Sequence, residues 1–233
     1  TVTIAGMAKG SGMIAPNMAT MLGYICTDAR IGHSTLQKML SYVNERSFNS
    51  ITVDGDTSTN DMVLLLANGA ASSKEIAENS SEYNTFLSHL QSVSSSLAQM
   101  IVRDGEGATK FIEINVRGAA TEDAARTAAR SIANSNLVKT AIHGEDANWG
   151  RIAAAVGYSG IDFTPEEMEI WIGDVQVLKK NYGIDFSETH AKEVLSKKDI
   201  VINVNLNGGS GAASFWTCDL SKEYVHINAS YRS

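Results

Sequence analysis

The sequence predicts a mixed α/β protein, with sheets and helices layered in two lobes. Apolar runs of strand length alternate with stretches whose apolar residues recur every three to four positions, the pattern of strands interleaved with amphipathic helices. Hydrophobic residues make up 43% of the 233 positions and only 2 are proline, a composition that favours a packed core over disorder. The pattern changes near Phe111, where a long serine-decorated stretch gives way to a regular strand. That change divides the chain into a lobe at 1–112 and a second, smaller α/β lobe at 113–233.

From the N-terminus, Val2 to Ile4 reads as strand, and Gly6, Gly10 and Gly12 open a small-residue loop that permits close backbone approach. Pro16 and Asn17 punctuate the chain before an apolar run, and Leu22 to Thr27 is a short strand. Ser34 is placed to cap a helix with Leu36, Met39, Leu40 and Val43 on one face. A strand and loop from Ile51 to Asp61 precede the apolar run Met62 to Ala67. Short polar side chains around Gly55 can turn the chain and bond its own backbone, or line a pocket near Thr1. The serine-rich stretch after Ala71 has the composition of a linker. Phe86, Leu90, Val93, Leu97, Met100 and Ile101 nevertheless share one helical face, so it is read as an amphipathic helix.

That helix leads into Arg103 to Phe111, where Gly105 and Gly107 flank Glu106 in a turn. Phe111 to Arg117 is a strand, and Thr121 starts a helix with Ala124, Ala125, Ala128, Ala129 and Ile132 on its inner face. Leu137 to Ile142 reads as a strand. Asp146, Asn148 and Arg151 either cap a helix over Trp149 to Val156 or form a polar pocket. Strands are expected at Met168 to Val177, Ile200 to Leu206 and Ala213 to Cys218, with a short helix at Glu188 to Ser196. Asn207 to Gly211 is read as a hairpin turn, and a last strand is expected near the C-terminus.

Several function classes are disfavoured. A net charge of −7 argues against nucleic acid or an anionic membrane as the main partner. Two cysteines, Cys26 and Cys218, are too few for a disulfide framework and suit a reducing cytoplasm. No apolar run reaches the roughly 20 residues needed to span a bilayer. None of the five histidines has metal-ligand spacing, so His33, His89, His143, His190 and His226 are read as structural or surface residues and no metal is expected. Asp54, Asp56 and Asn60 lack the glycine and terminal glutamate of a calcium loop. No Ser-His-Asp or Cys-His set stands out. Thr1 has two readings, a processing end without chemical purpose or a nucleophile. A threonine at a free N-terminus carries a hydroxyl and an α-amine on adjacent carbons, so the amine can serve as base for the nucleophile.

Four separated blocks carry a resemblance that covers the whole chain. They are Lys9-Gly10-Ser11-Gly12-Met13-Ile14-Ala15-Pro16-Asn17-Met18-Ala19-Thr20-Met21-Leu22, Asp54-Gly55-Asp56-Thr57-Ser58-Thr59-Asn60-Asp61, Asp104-Gly105-Glu106-Gly107-Ala108-Thr109-Lys110, and Asp146-Ala147-Asn148-Trp149-Gly150-Arg151, the last with alanine where proline is expected. In this order they resemble the β chain of the ornithine acetyltransferase family, also called glutamate N-acetyltransferase. In that family a precursor cleaves itself before a threonine, and the α and β chains stay associated. The resemblance implies a layered sandwich of the N-terminal-nucleophile, ornithine acetyltransferase/DmpA kind, in an (αβ)2 or larger assembly in the cytoplasm.

It further implies that Thr1 is the nucleophile, that Glu106 binds substrate, and that the tail contacts substrate through Asn228 and Ser233, the last standing where the family has threonine. An α-chain Thr-Gly pair would supply the oxyanion hole. The donor would be N-acetylornithine and the acceptor glutamate, with no cofactor, in arginine biosynthesis. Acetyl-CoA as a second donor is left open, as is recruitment to another pathway. Two other readings also stay open: an N-terminal-nucleophile aminopeptidase or amidase that transfers to water, and a non-catalytic amino-acid-binding subunit.

Overall fold

The structure, a computed structural model, describes residues 1–15, 21–57, 59–71, 74–180 and 182–230. The chain divides into two compact units between Asp104 and Gly105.

The first unit is a small sheet with helices on one face. Strand β1 (Ile4–Lys9) pairs antiparallel with β2 (Leu22–Thr27), which pairs in parallel with β3 (Met62–Ala67). Helix α1 (His33–Glu45) packs against α2 (Ser81–Arg103), and α2 lies on β1. The first strand begins at Ile4, later than the expected Val2, and runs on through Gly6. The glycine serves close packing there, since a Cβ would come within 2.8 Å of Leu97 on α2. Helix α1 is capped by the backbone of Gly32 without a side-chain hydrogen bond, and Ser34 lies inside its first turn. Ile51 makes only an isolated bridge after a short 3-10 turn at Phe48–Ser50, so the first of the two expected strands there is absent.

The buried stripe of α2 is Phe86, Leu90, Ser94, Ala98, Ile101 and Val102. Val93 and Leu97 are half-buried and Met100 is 59% exposed, so the inner face is rotated toward the small residues, which let helix and sheet approach closely. By register, Ala5, Met7, Tyr24, Cys26, Leu64 and Leu66 share one sheet face, and Gly6 and Ile25 lie on the other. Ile25 is fully buried under the helices, whereas Met7, Leu64 and Leu66 are 70%, 39% and 53% exposed. Among the described residues, then, one face of this sheet is largely apolar and uncovered, with Lys9 at its end.

The second unit, the longer of the two, is built on six strands. In chain order its elements are β4 (Phe111–Ala119), α3 (Glu122–Ala133), α4 (Asn136–His143), α5 (Trp149–Gly157), β5 (Glu169–Ile172), β6 (Val175–Lys179), β7 (Tyr182–Gly183), α6 (Glu188–Leu195), β8 (Asp199–Asn205), β9 (Gly211–Cys218) and α7 (Lys222–Ser230). The sheet order is β7-β6-β5-β8-β4-β9. Ile112, Ile114 and Val116 of β4, Ile200, Ile202 and Val204 of β8, and Phe215 of β9 meet the alanine face of α3 and the inner faces of α5 and α6 in one core. That alanine face is the one expected, with Thr121 capping α3 by accepting from Ala124 N at 3.1 Å.

Four expectations in this unit are corrected. Residues 137–142 form helix α4, not a strand: Ser135 accepts from Val138 N at 3.3 Å, and Val138, Ala141 and Ile142 turn inward while Leu137 is 61% exposed. The single strand expected at 168–177 is the β5–β6 hairpin, turned at Gly173 with φ 59°. Strands β8 and β9 are not a hairpin, because β4 lies between them, parallel to β8 and antiparallel to β9. The C-terminal strand is helix α7, in which Tyr224 and Ile227, three apart, are the half-buried positions.

Candidate active site

Of the sequence-predicted site residues that the structure describes, Thr1 and Glu106 lie in segments that flank elements and Asn228 in the last turn of α7. Thr1 is exposed, just ahead of β1. The chain behind it is anchored at Thr3, whose amide donates to Asp28 Oδ1 at 2.7 Å and whose carbonyl accepts from Thr27 Oγ1 at 2.7 Å. Val2 and Ile4 line a cavity of about 600 Å³ in the first unit, together with Phe86, His89 and Val93 of α2 and the rim ion pair Lys74–Glu82 at 2.7 Å.

The small-residue loop after β1 is held by the loop that precedes β3. Asp54 accepts from Met13 N at 2.7 Å and Ile14 N at 3.0 Å, and the Asp61 carboxylate accepts from Met21 N. Thr57 donates to Ala15 O at 3.1 Å. These carboxylates and hydroxyl thus secure backbone, and Gly55 turns with φ 82°. In the second unit the helix-capping alternative is the one found. Asn148 accepts from Arg151 N at 3.2 Å, Asp146 accepts from Asn148, and the Arg151 guanidinium reaches back to Leu137 O at 2.8 Å.

Glu106 and Asn228, 122 positions apart in sequence, meet: Asn228 Nδ2 donates to Glu106 Oε2 at 3.0 Å and to Tyr224 O at 3.0 Å. Two elements create this pairing, the loop between α2 and β4 and helix α7. Ser233 lies outside the described residues.

Between those elements stands a residue that the sequence reading passed over. Asp219 follows β9, and its side chain is fully buried. One carboxylate oxygen accepts from Thr109 N and Lys110 N, each at 2.8 Å; the other accepts from Thr109 Oγ1 at 2.5 Å and faces His143 Nδ1 at 2.7 Å. Burial alone would raise this carboxyl, but hydrogen bonds from Thr109, His143 and Lys110 outweigh it and hold it below the ordinary carboxylate range. As an ionised acceptor it can only receive a hydrogen bond, so His143 Nδ1 is the donor of that pair. His143, expected in a turn, is the last residue of α4. The visible clue was the run Asp219-Leu220-Ser221 between an apolar strand and a polar stretch, a helix-start pattern.

Among the described residues no group of three or more histidine, cysteine, aspartate or glutamate side chains is arranged to hold a metal ion. Among them, too, no helix is long and apolar enough to cross a membrane.

A model described as the ArgJ family matches residues 1–233. The arginine biosynthesis bifunctional protein ArgJ of Chlorobium chlorochromatii is 57% identical over the whole chain, which covers 54% of that protein; its counterpart from Symbiobacterium thermophilum is 53% identical, with 58% covered. The chain therefore spans a little over half the length of these curated relatives. A crystal structure of the arginine biosynthesis bifunctional protein argJ from Bacillus halodurans superposes with a TM-score of 0.89 at 47% identity, covering 91% of this chain and 100% of that one.

Proposed function

The chain belongs to the ArgJ family, and on that premise we propose that it is the β chain of a glutamate N-acetyltransferase that moves acetyl from N-acetylornithine to glutamate through an acetyl-Thr1 intermediate. The observation that carries this reading is the meeting of Glu106 and Asn228 at 3.0 Å, which gathers a carboxylate and an amide from distant parts of the chain at an exposed position. Glu106 binds an ammonium group of ornithine, a charge-assisted contact for which a carboxylate is suited.

In this reading Thr1 Oγ attacks the acetyl carbonyl while the α-amine of Thr1 takes the hydroxyl proton. The tetrahedral adduct collapses, and the ornithine nitrogen leaves with that proton. Glutamate's free amine then attacks the acetyl-Thr1 ester, and Thr1 regains its proton as N-acetylglutamate departs. Each tetrahedral step needs hydrogen-bond donors for the oxyanion, and loss of one such donor costs on the order of 3 kcal/mol. We assign those donors to an α chain corresponding to part of the relatives' greater length. The uncovered face with Met7, Leu64 and Leu66 supports such a partner, since an apolar sheet face of this kind calls for a further layer. An (αβ)2 or larger assembly in the cytoplasm completes the proposal.

The test is the intact mass of the assembled protein after brief mixing with N-acetylornithine in the absence of glutamate. One acetyl group on this chain, mapped to Thr1 and discharged by glutamate, is the expected result. Free acetate without an adduct would point to a hydrolase, and neither adduct nor product would point to a binding subunit.

A further inference from the structure

We infer that Asp219 and Ser221 are positioning residues for the substrate-binding acid: they fasten the Glu106 loop to the start of α7 and so set the register in which Glu106 meets Asn228. The inference rests on the proposed role of Glu106 and deepens it. Three fastenings follow one another along the loop. The Asp219 carboxylate holds Thr109 and Lys110 through both amides and the Thr109 hydroxyl. Ser221 Oγ donates to Gly107 O at 2.6 Å, and the same oxygen accepts from Tyr224 N at 3.3 Å in the first turn of α7. Gly107 lies so close against that turn that an added Cβ would stand 2.4 Å from Tyr224 N. Asn228 is one helical turn beyond Tyr224, whose carbonyl it also binds, so its place is fixed by where the helix starts. His143 closes the far side of the Asp219 carboxylate, tying α4 to the same point.

The geometry separates the roles. Glu106 and Asn228 carry the groups that touch substrate, while Asp219 is fully buried and acts only through the loop. A loop released from its fastening binds donor poorly but reacts normally once the donor is bound. Loss of folded protein does the reverse: it lowers apparent kcat and leaves KM alone.

The experiment uses the assembled protein with three variants, Ser221→Ala, Ser221→Thr and Asp219→Asn. Steady-state kinetics with varied N-acetylornithine are combined with a crystal structure of the Ser221→Ala form. For Ser221→Ala we expect KM for the donor to rise about fivefold, the size of one lost hydrogen bond, with kcat within about twofold. Ser221→Thr, which keeps the hydroxyl, should restore KM. Asp219→Asn should raise KM further, and in an E106Q background Ser221→Ala should add nothing. In the crystal the 3.0 Å contact between Asn228 and Glu106 should be lost. An unchanged KM with reduced kcat, or an intact Glu106–Asn228 contact in Ser221→Ala, overturns the inference even if Asp219→Asn fails to fold. A parent protein that turns over no N-acetylornithine would instead refute the proposed function; the crystallographic separation then decides the register by itself.

Discussion

Replacing Gly107 with alanine tests the closeness of the Glu106 loop and α7 most directly. Gly107 has φ 67°, a left-handed backbone that costs an L-residue roughly 1–2 kcal/mol. The new Cβ would stand 2.4 Å from Tyr224 N, 2.9 Å from Tyr224 Cα and 3.0 Å from the Glu223 carbonyl carbon. All three are main-chain atoms, so no side chain can swing aside, and either the loop or the helix start must move. Movement weakens the Ser221–Gly107 hydrogen bond, worth about 1 kcal/mol. Against this, alanine narrows the unfolded ensemble by up to about 1 kcal/mol. The net loss is about 2 kcal/mol, or a fall in Tm of about 4–8 °C for a chain of this length. Gly157→Ala is the matched control, because it ends α5, and a Cβ there meets nothing within 4 Å. It should be neutral or raise stability by up to about 1 kcal/mol. Calorimetry of both variants beside the parent decides the matter: if Gly107→Ala and Gly157→Ala melt together, the close approach of loop and helix is wrong.

Thr1→Ala should abolish acetyl transfer and leave no acetylated chain in the mass spectrum, while the folded signal stays that of the parent. Because the Asp219 carboxyl titrates lower in the folded chain than in the unfolded one, its stabilisation is complete above the unfolded value of about 3.9 and fades as pH falls through the lower folded value. Urea midpoints from about pH 6 down to about pH 2.5 should therefore show a shallower acid loss for Asp219→Asn than for the parent. Leu66→Asp, on the uncovered face of β3, should leave the circular dichroism of the chain unchanged yet prevent co-purification of the α chain; full recovery of the complex would remove that face from the interface. Ser135→Ala should cost about 1 kcal/mol in chemical denaturation by uncapping α4.

How much of the fold could be read from the sequence depended on whether the deciding interaction was local. Strand β2 stood out by its short apolar run, and helix α3 because Thr121 and its alanine face lie within a dozen residues of each other. Helix α4 was mistaken for a strand because only eight residues carry its pattern, and a short apolar run is ambiguous unless its cap is recognised. The turn at Asn207 to Gly211 was correctly placed but its partners were not. Neighbouring strands in sequence are the default pairing, and only the parallel match of Ile112 with Ile200 inserts β4 between β8 and β9.

The candidate site divides along the same line. Glycines on both sides mark a turn at Glu106, but that pattern alone reads as a solvated loop, and the substrate role of Glu106, like that of Asn228, comes from the family resemblance. Nothing near Asn228 in sequence hints at a partner 122 positions away. Asp219 was invisible for the opposite reason. A buried carboxylate carries meaning through what it accepts, and its donors are Thr109, Lys110 and His143, drawn from two other stretches of chain. An ionised group this deep would be costly without partners, so its four hydrogen bonds are a condition for its being there at all. The two acids are thus separated by burial: Glu106 keeps its carboxylate near solvent, where the proposed substrate contact needs it, and Asp219 gives up solvent for fixed donors. Only coordinates show which acid is which, because composition treats them alike.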